Sequence, residues 1–269
     1  LRMGDLGYTS NAQASLAVRY NSLDQYISTL REAIMIPHLP YRDFPPTDSG
    51  ELPQLNDSLL QIENEYYSPI RPKRVTRSGQ APVVALADAG IEYVEVRCVD
   101  LNPFLPLGID VATMRLLDLF LLSCLIDESP LYDDQRLFRD RTNLMRIVNK
   151  GRQPGLTLLS EEGDETSISE LAAFTLGSMD EAAQWLDNSQ RLHLYRQVVD
   201  QAKACIEDPS KTPSARLLQE IEQSGQSFWK LALAYSKKWH KRHVNAIIPQ
   251  KKLREMHLEA TDSLRRQKE

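Results

Sequence analysis

Cysteine is scarce in this chain of 269 residues: only Cys98, Cys124 and Cys205 occur, and no two of them form a CxxC pair. An odd count without paired spacing excludes a disulfide framework and a structural zinc site, and it points to a reducing, cytoplasmic setting. Long apolar runs are absent as well. The most apolar stretch, Leu116 to Ile126, contains Asp118 and falls short of the ~20 residues a membrane span needs. No signal-peptide pattern is expected at the amino-terminal end. There is no excess of positive charge either. The formal net charge is -5 and the isoelectric point about 5.7, which argues against nucleic acid or another polyanion as the main partner. Internal repeats and low-complexity tracts are missing.

The rest of the composition is that of a globular protein, with 42% hydrophobic and 26% charged residues. The length suits one large domain or two small ones and is enough to bury a sizeable core. The chain opens on Leu1 and Arg2, with a glycine-bearing turn at Gly4–Gly7 directly after. That opening reads as a chain cut inside a domain, so part of any site is expected to lie elsewhere.

The first hundred residues mix strand and helix signals. Ala14–Tyr20 alternates as a short strand, and Leu23, Tyr26, Ile27 and Leu30 recur at helical spacing within Asn21–Ile34. Pro37 and Pro40 stop that helix, and prolines 45, 46 and 53 with Gly50 mark a loop. Leu59–Tyr67 is expected as a strand, Val83–Ala89 as a helix ended by Gly90, and Tyr93–Val99 as a second strand. The remainder reads as helical. Asp110–Leu125 carries a stripe at Met114, Leu117, Leu121 and Leu125, and Asp133–Asn149 is closed by Gly151. Capping boxes at Ser167–Glu170 and Ser178–Glu181 predict a helix after each. Further helices are expected from Pro213, over Ser227–His243, and over Lys251–Lys268.

Three stretches have the residue types for chemistry. On one face of the Tyr93–Val99 strand, Glu95 can give carboxylate oxygens to a hard divalent cation, and Arg97 can present planar donors to phosphate oxygens. That adjacency suits phosphoryl transfer, although an exposed Glu–Arg pair on a sheet has the same spacing. Between Pro69 and Arg77, the cations Arg71, Lys73, Arg74 and Arg77 occur without an acid, and Pro69 and Pro72 stiffen the segment. It reads as a rigid basic loop for nucleotide phosphates, or as a solvated turn. Near the start, Arg2 can clamp a carboxylate and Tyr8 can add a hydroxyl, with Gly4 and Gly7 permitting close backbone approach. The glycine spacing there is not GxGxxG.

These stretches closely resemble the bacterial glutamate–cysteine ligase family. The resemblance is carried by RMGDLGYTSNAQ from Arg2 to Gln13, LQIENEYYSPIRPKR from Leu60 to Arg74, and YVEVRCVDLNPF from Tyr93 to Phe104. Shorter matches at PLGID (Pro106–Asp110), GRQPGL (Gly151–Leu156) and TPSAR (Thr212–Arg216) extend it over most of the chain. It implies an α+β fold: residues 1–110 as the C-terminal part of a glutamine-synthetase-like antiparallel sheet domain, and 111–269 as a helical region packed on it. It also implies a reaction. ATP phosphorylates the γ-carboxylate of glutamate, and the cysteine amine displaces phosphate to give γ-glutamylcysteine, the first step of glutathione biosynthesis. By the same resemblance, Glu95 is a metal ligand for Mg2+ or Mn2+, and Arg97 is the arginine at the transferring phosphate. Arg2, Tyr8 and Tyr67 surround the cysteine substrate, and Arg71, Lys73 and Arg74 lie toward the nucleotide. The family's other metal ligands belong to an N-terminal half that this chain lacks.

Other features have plainer readings. The basic run from Lys230 to Arg254, with Trp229 and Trp239, reads as a surface helix covering the sheet. His240 and His243 lack a nearby carboxylate, Cys98 reads as core, and the acidic stretch Glu161–Glu170 as a solvated loop. Two alternatives to the ligase stand: a related ligase joining glutamate to another amine, and an inactive chain acting as a helical interaction module.

Overall fold

A computed structural model describes residues 3–4, 11–190 and 193–268. Helix α1 (Leu23–Ala33) starts at Ser22, whose side chain accepts the Gln25 N–H, and it buries Tyr26, Ile27, Leu30 and Ala33. That face meets α2 (Pro82–Ala89), which opens with a proline at its first turn and buries Val83 and Leu86. Gly90 follows at φ +75°, where a side chain would be strained. Leu16, Val18 and Leu60 complete this core.

The two strands expected at 14–20 and 59–67 do not form. Asn11–Ser15 is a short 3-10 turn, and Leu16–Tyr20 is extended without a named partner strand. The expected alternation holds only in part: Leu16 and Val18 are buried with Ala17 exposed between them, but Tyr20, expected on the same face, is exposed. At 59–67 local polar bonds win. The Gln61 N–H donates to the Glu65 carboxylate, and the Glu65 N–H to the Ile62 carbonyl, which closes a 3-10 turn at Glu63–Glu65. The strand comes later, in what read as a basic loop: β1 (Ile70–Lys73) pairs antiparallel with β2 (Tyr93–Val96). The register sets Ile70 opposite Val96, Arg71 opposite Glu95, Pro72 opposite Val94 and Lys73 opposite Tyr93. In a two-stranded sheet each strand is an edge, so Pro72 is tolerated.

Helices α3 (Val111–Ile126), α5 (Ile168–Gln190) and α6 (Leu194–Glu207) share a second core of Leu119, Met179, Ala183 and Val199. The α3 stripe is rotated from the expected one. Leu116, Leu119 and Leu122 pack inward, whereas Met114 and Leu125 are exposed. The capping box at Ser167 is present: its N–H donates to Glu170, and its hydroxyl accepts the Glu170 N–H. The one at Ser178 is not a helix start. It lies inside α5, where Met179 is in the core and Asp180 faces Arg196 and Lys203 of α6. Helix α6 was not legible, because its start is capped from another helix. The buried Asp187 of α5 accepts the N–H groups of Tyr195 and Arg196.

Helix α4 (Asp134–Lys150) is capped by Asp133 and lies against a hairpin of β3 (Thr157–Leu159) and β4 (Glu165–Ser167). The acidic stretch is solvent-exposed at 161–165, as expected, but it forms the turn of this hairpin and runs on into β4 and the start of α5 rather than a free loop. Glu161 pairs with Arg136 and Glu165 with Arg146, both from α4.

Contacts divide the chain into two compact units, Leu1–Leu101 with Val111–Lys211, and Asn102–Asp110 with Thr212–Glu269. This does not coincide with a division at residue 110. The second unit holds α7 (Pro213–Ser224), α8 (Phe228–Val244) and α9 (Gln250–Lys268). Within it the Trp239 indole N–H donates to the Pro103 carbonyl, and Phe104 sits edge-on to Tyr235 with the Arg216 guanidinium over its ring. Trp229 is 67% exposed.

Candidate active site

Antiparallel register collects charge on one face of the β1–β2 sheet. Side chains alternate along each strand, and directly opposed residues share a face. Tyr93 and Glu95 of β2 therefore share their face with Arg71 and Lys73 of β1. The Arg97 N–H donates to the Pro69 carbonyl at 2.7 Å, which carries the ladder past Val96 and keeps Arg97 in phase with Glu95.

Glu95 sits between two cations, with Lys73 Nζ 3.4 Å from one oxygen and Arg97 Nε 3.5 Å from the other. The Arg97 guanidinium lies 4.7 Å from the centroid of the Tyr67 ring, a cation–π arrangement. The Arg97 side chain is 20% exposed and that of Glu95 39%, so the group is open on the carboxylate side and closed at the guanidinium. The Arg97 Nε is buried and makes no hydrogen bond among the described residues, since the Glu95 oxygen is at ion-pair distance without hydrogen-bond geometry. A buried guanidinium donor left in this way is costly unless an anionic oxygen meets it.

The neighbouring basic residues have separate tasks. Arg71 is buried and donates to the carbonyls of Glu63 and Asn64 at 3.2 and 3.1 Å, which holds the 63–65 turn. Arg74 donates to the carbonyls of Gly90 and Ala89, both at 2.6 Å, and so caps the end of α2. Arg71 thus gives donors to the main chain, Arg74 divides its donors between the main chain and the Glu92 carboxylate at 3.6 Å, and Lys73 alone of the three pairs with Glu95. Tyr66 and Tyr67 face opposite ways. Tyr66 packs against the α1–α2 core, where burial and the neighbouring Tyr20 push its phenol well above the usual range. Burial likewise raises Tyr26 to about 12. Arg2 and Tyr8 lie outside the described residues.

Of the eight residues singled out from the sequence, the structure brings together Tyr67, Lys73, Glu95 and Arg97. A ninth was missed. The Gln13 side chain bonds the main chain at both Glu65 and Tyr67. Its partners are more than fifty positions away, so no local signal marks it. Cys98, expected in the core, is exposed. His243 contacts the Pro106 carbonyl at 2.9 Å.

The divalent cation fits this face only in part. Among the described residues, no three His, Cys, Asp or Glu side chains are grouped to hold a metal. Glu95 is one carboxylate with a cation on each side, which is not a cage for Mg2+ or Mn2+.

One carboxylate flanked by a lysine and an arginine on a sheet, with a tyrosine ring beneath, has the chemistry to accept an anionic group such as a carboxylate or phosphate. Comparison with known proteins gives the family. Residues 1–147 match the family model described as glutamate–cysteine ligase, and the chain belongs to that family. The glutamate–cysteine ligase of Pseudomonas fluorescens is 44% identical over 236 residues, covering 88% of this chain and 44% of the relative. That of Pseudomonas aeruginosa is 42% identical over 273 residues, covering all of this chain and 51% of the relative. The crystal structure of the Francisella tularensis glutamate–cysteine ligase, a complex with AMP, superposes with a TM-score of 0.89 at 31% identity. It covers 100% of this chain and 52% of that one. The chain thus spans about half the length of the relatives it matches, and its α+β architecture is the family's. Among the described residues, no helix is long and apolar enough to cross a membrane.

Proposed function

We propose that this chain supplies part of the catalytic centre of an ATP-dependent glutamate–cysteine ligase. Residues 1–110 would contribute to its glutamine-synthetase-like sheet domain and 111–269 its helical region. The observation that carries this reading is the Nε of Arg97, buried and without a hydrogen bond among the described residues, held over Tyr67 and beside Glu95 in a chain of this family. In the reaction the γ-carboxylate of glutamate attacks the terminal phosphorus of ATP and ADP leaves. The cysteine amine then attacks the acyl carbon of γ-glutamyl phosphate and phosphate departs. Arg97 binds oxygens of the transferred phosphoryl group, where charge is greatest, and its rigidity on Tyr67 means little reorganisation is needed. Tyr67, with Arg2 and Tyr8, lines the cysteine side. Lys73 is the nucleotide-side cation of this face, while Arg71 and Arg74 hold its backbone in place. Glu95 is one ligand of a Mg2+ or Mn2+ site whose other carboxylates come from the part of the family's length outside these 269 residues. Magnesium bound there would neutralise the ATP phosphates. The three cysteines are free, which fits a reducing cytoplasm.

The test joins this chain to the family's remaining half and measures ADP release with ATP, glutamate and cysteine. Cysteine-dependent release is expected, and simple amines should fail to replace cysteine. Equal release with simple amines would instead assign a different glutamate–amine ligase. No release under any acceptor would remove the reading.

A further inference from the structure

We propose that Gln13 is a positioning residue that sets the Tyr67 ring under Arg97. The proposal rests on the function proposed above. The Gln13 amide nitrogen donates to the Glu65 carbonyl at 3.1 Å, and its amide oxygen accepts the Tyr67 N–H at 3.2 Å. A C=O and an N–H two residues apart on the same side of a chain are the pair that a neighbouring strand would take. The Gln13 carboxamide takes both with one side chain, since it has a donor and an acceptor at matched spacing. It therefore takes the pair of bonds that a third strand would take, and it holds Tyr66, at φ -58° and ψ 121°, in one conformation.

The consequence follows from alternation. With residue 66 fixed, Tyr66 points into the α1–α2 core and Tyr67 to the other side, 4.7 Å from the Arg97 guanidinium. Gln13 itself is firmly placed. It lies in the 3-10 turn Asn11–Ser15 between Ala12 and Leu16, both 5% exposed. The turn follows in the sequence on the segment that carries Tyr8. Without it, the main chain at Glu65 and Tyr67 loses two of its hydrogen bonds, and the Tyr67 ring is less closely set under Arg97.

The experiment uses Gln13→Met, which keeps the volume but removes both bonds, and Gln13→Glu, which keeps the acceptor alone. The first readout is the Arg97 Nε–H resonance of the 269-residue chain, identified by its loss in Arg97→Lys. In the wild type the Tyr67 ring shifts it upfield. Gln13→Met should move it downfield and speed exchange of the Tyr67 amide, with Gln13→Glu in between. The second readout is kinetic, on the reassembled ligase. The KM for cysteine should rise about tenfold in Gln13→Met, the size expected from losing two neutral hydrogen bonds, with the KM for ATP unchanged. An unmoved resonance, or a shifted resonance with an unchanged cysteine KM, would overturn the proposal. If the wild-type assembly shows no cysteine dependence, the functional reading fails. The resonance still decides whether Gln13 places Tyr67.

Discussion

On β2 the Arg97 guanidinium lies over Tyr67, while in α8 Lys238 lies 4.5 Å from the Trp239 ring and Arg242 5.8 Å from the same ring. By composition the two regions look alike, with cations next to aromatics. They differ in what else the backbone brings in. The β1–β2 register places Glu95 between Lys73 and Arg97, and a donor of Arg97 is buried without a hydrogen bond among the described residues. From Ser227 to Arg254, through α8 and into α9, there is no acid, the lysines of α8 are exposed, and Trp239 uses its indole N–H to hold the Pro103 carbonyl. The comparison teaches that a cation beside a ring is not by itself a site. Opposed charge fixed by strand pairing and an unsatisfied buried donor separate the two.

The sharpest way to break that contrast is to remove one cation from each region of the reassembled enzyme. Arg97→Ala should lower cysteine-dependent ADP release by about 10²–10³-fold, the usual loss when a donor to developing charge is deleted. Lys237→Ala, on the exposed face of α8, should stay within about twofold. Equal losses would erase the distinction. A second test addresses the support beneath each region. Leu60 is fully buried in the α1–α2 core and Leu231 is the buried residue of α8. Leu60→Ala should cost about 2–5 kcal/mol in urea unfolding. Leu231→Ala should cost less, because its surroundings are open enough to collapse.

The parts that could be read in the sequence are those whose cause is local. Ser22, Asp133, Ser167, Thr212 and Ser227 each cap a helix with their own side chains, and those five starts were expected within a residue or two. Glu95 and Arg97 are marked by spacing and by resemblance to long family motifs, and Tyr67 by the resemblance alone. The hidden parts depend on distant partners. Helix α6 is capped by Asp187 from α5, and Gln13 reaches Glu65 and Tyr67 across more than fifty residues. The stretch at 59–67 alternates as a strand should, yet a short polar turn and the buried Arg71 beneath it hold it otherwise. Alternation gives a face for each residue but does not supply a partner strand.

Smaller effects are expected where a local cap acts alone, away from both charged regions. Ser167→Ala should cost about 1 kcal/mol of thermal or urea stability. Glu170 of the same box has its carboxyl held down at about 2, first by the Ser167 N–H and then by the hydroxyls of Ser167 and Thr166. Its pKa is depressed in the folded state. The contribution is therefore complete above the ordinary glutamate range and is lost as the pH falls toward 2. Glu170→Gln should flatten that acid limb of the stability profile. A limb unchanged in the variant would show that the carboxylate does not act there.

The central claim is that Arg97 meets the phosphoryl group during transfer. It is tested most directly by a crystal structure of the reassembled enzyme with glutamate and a non-hydrolysable ATP analogue. The account predicts the Arg97 guanidinium within about 3 Å of a terminal phosphate oxygen, still stacked on Tyr67. A terminal phosphate bound elsewhere, with Arg97 paired only to Glu95, would contradict it.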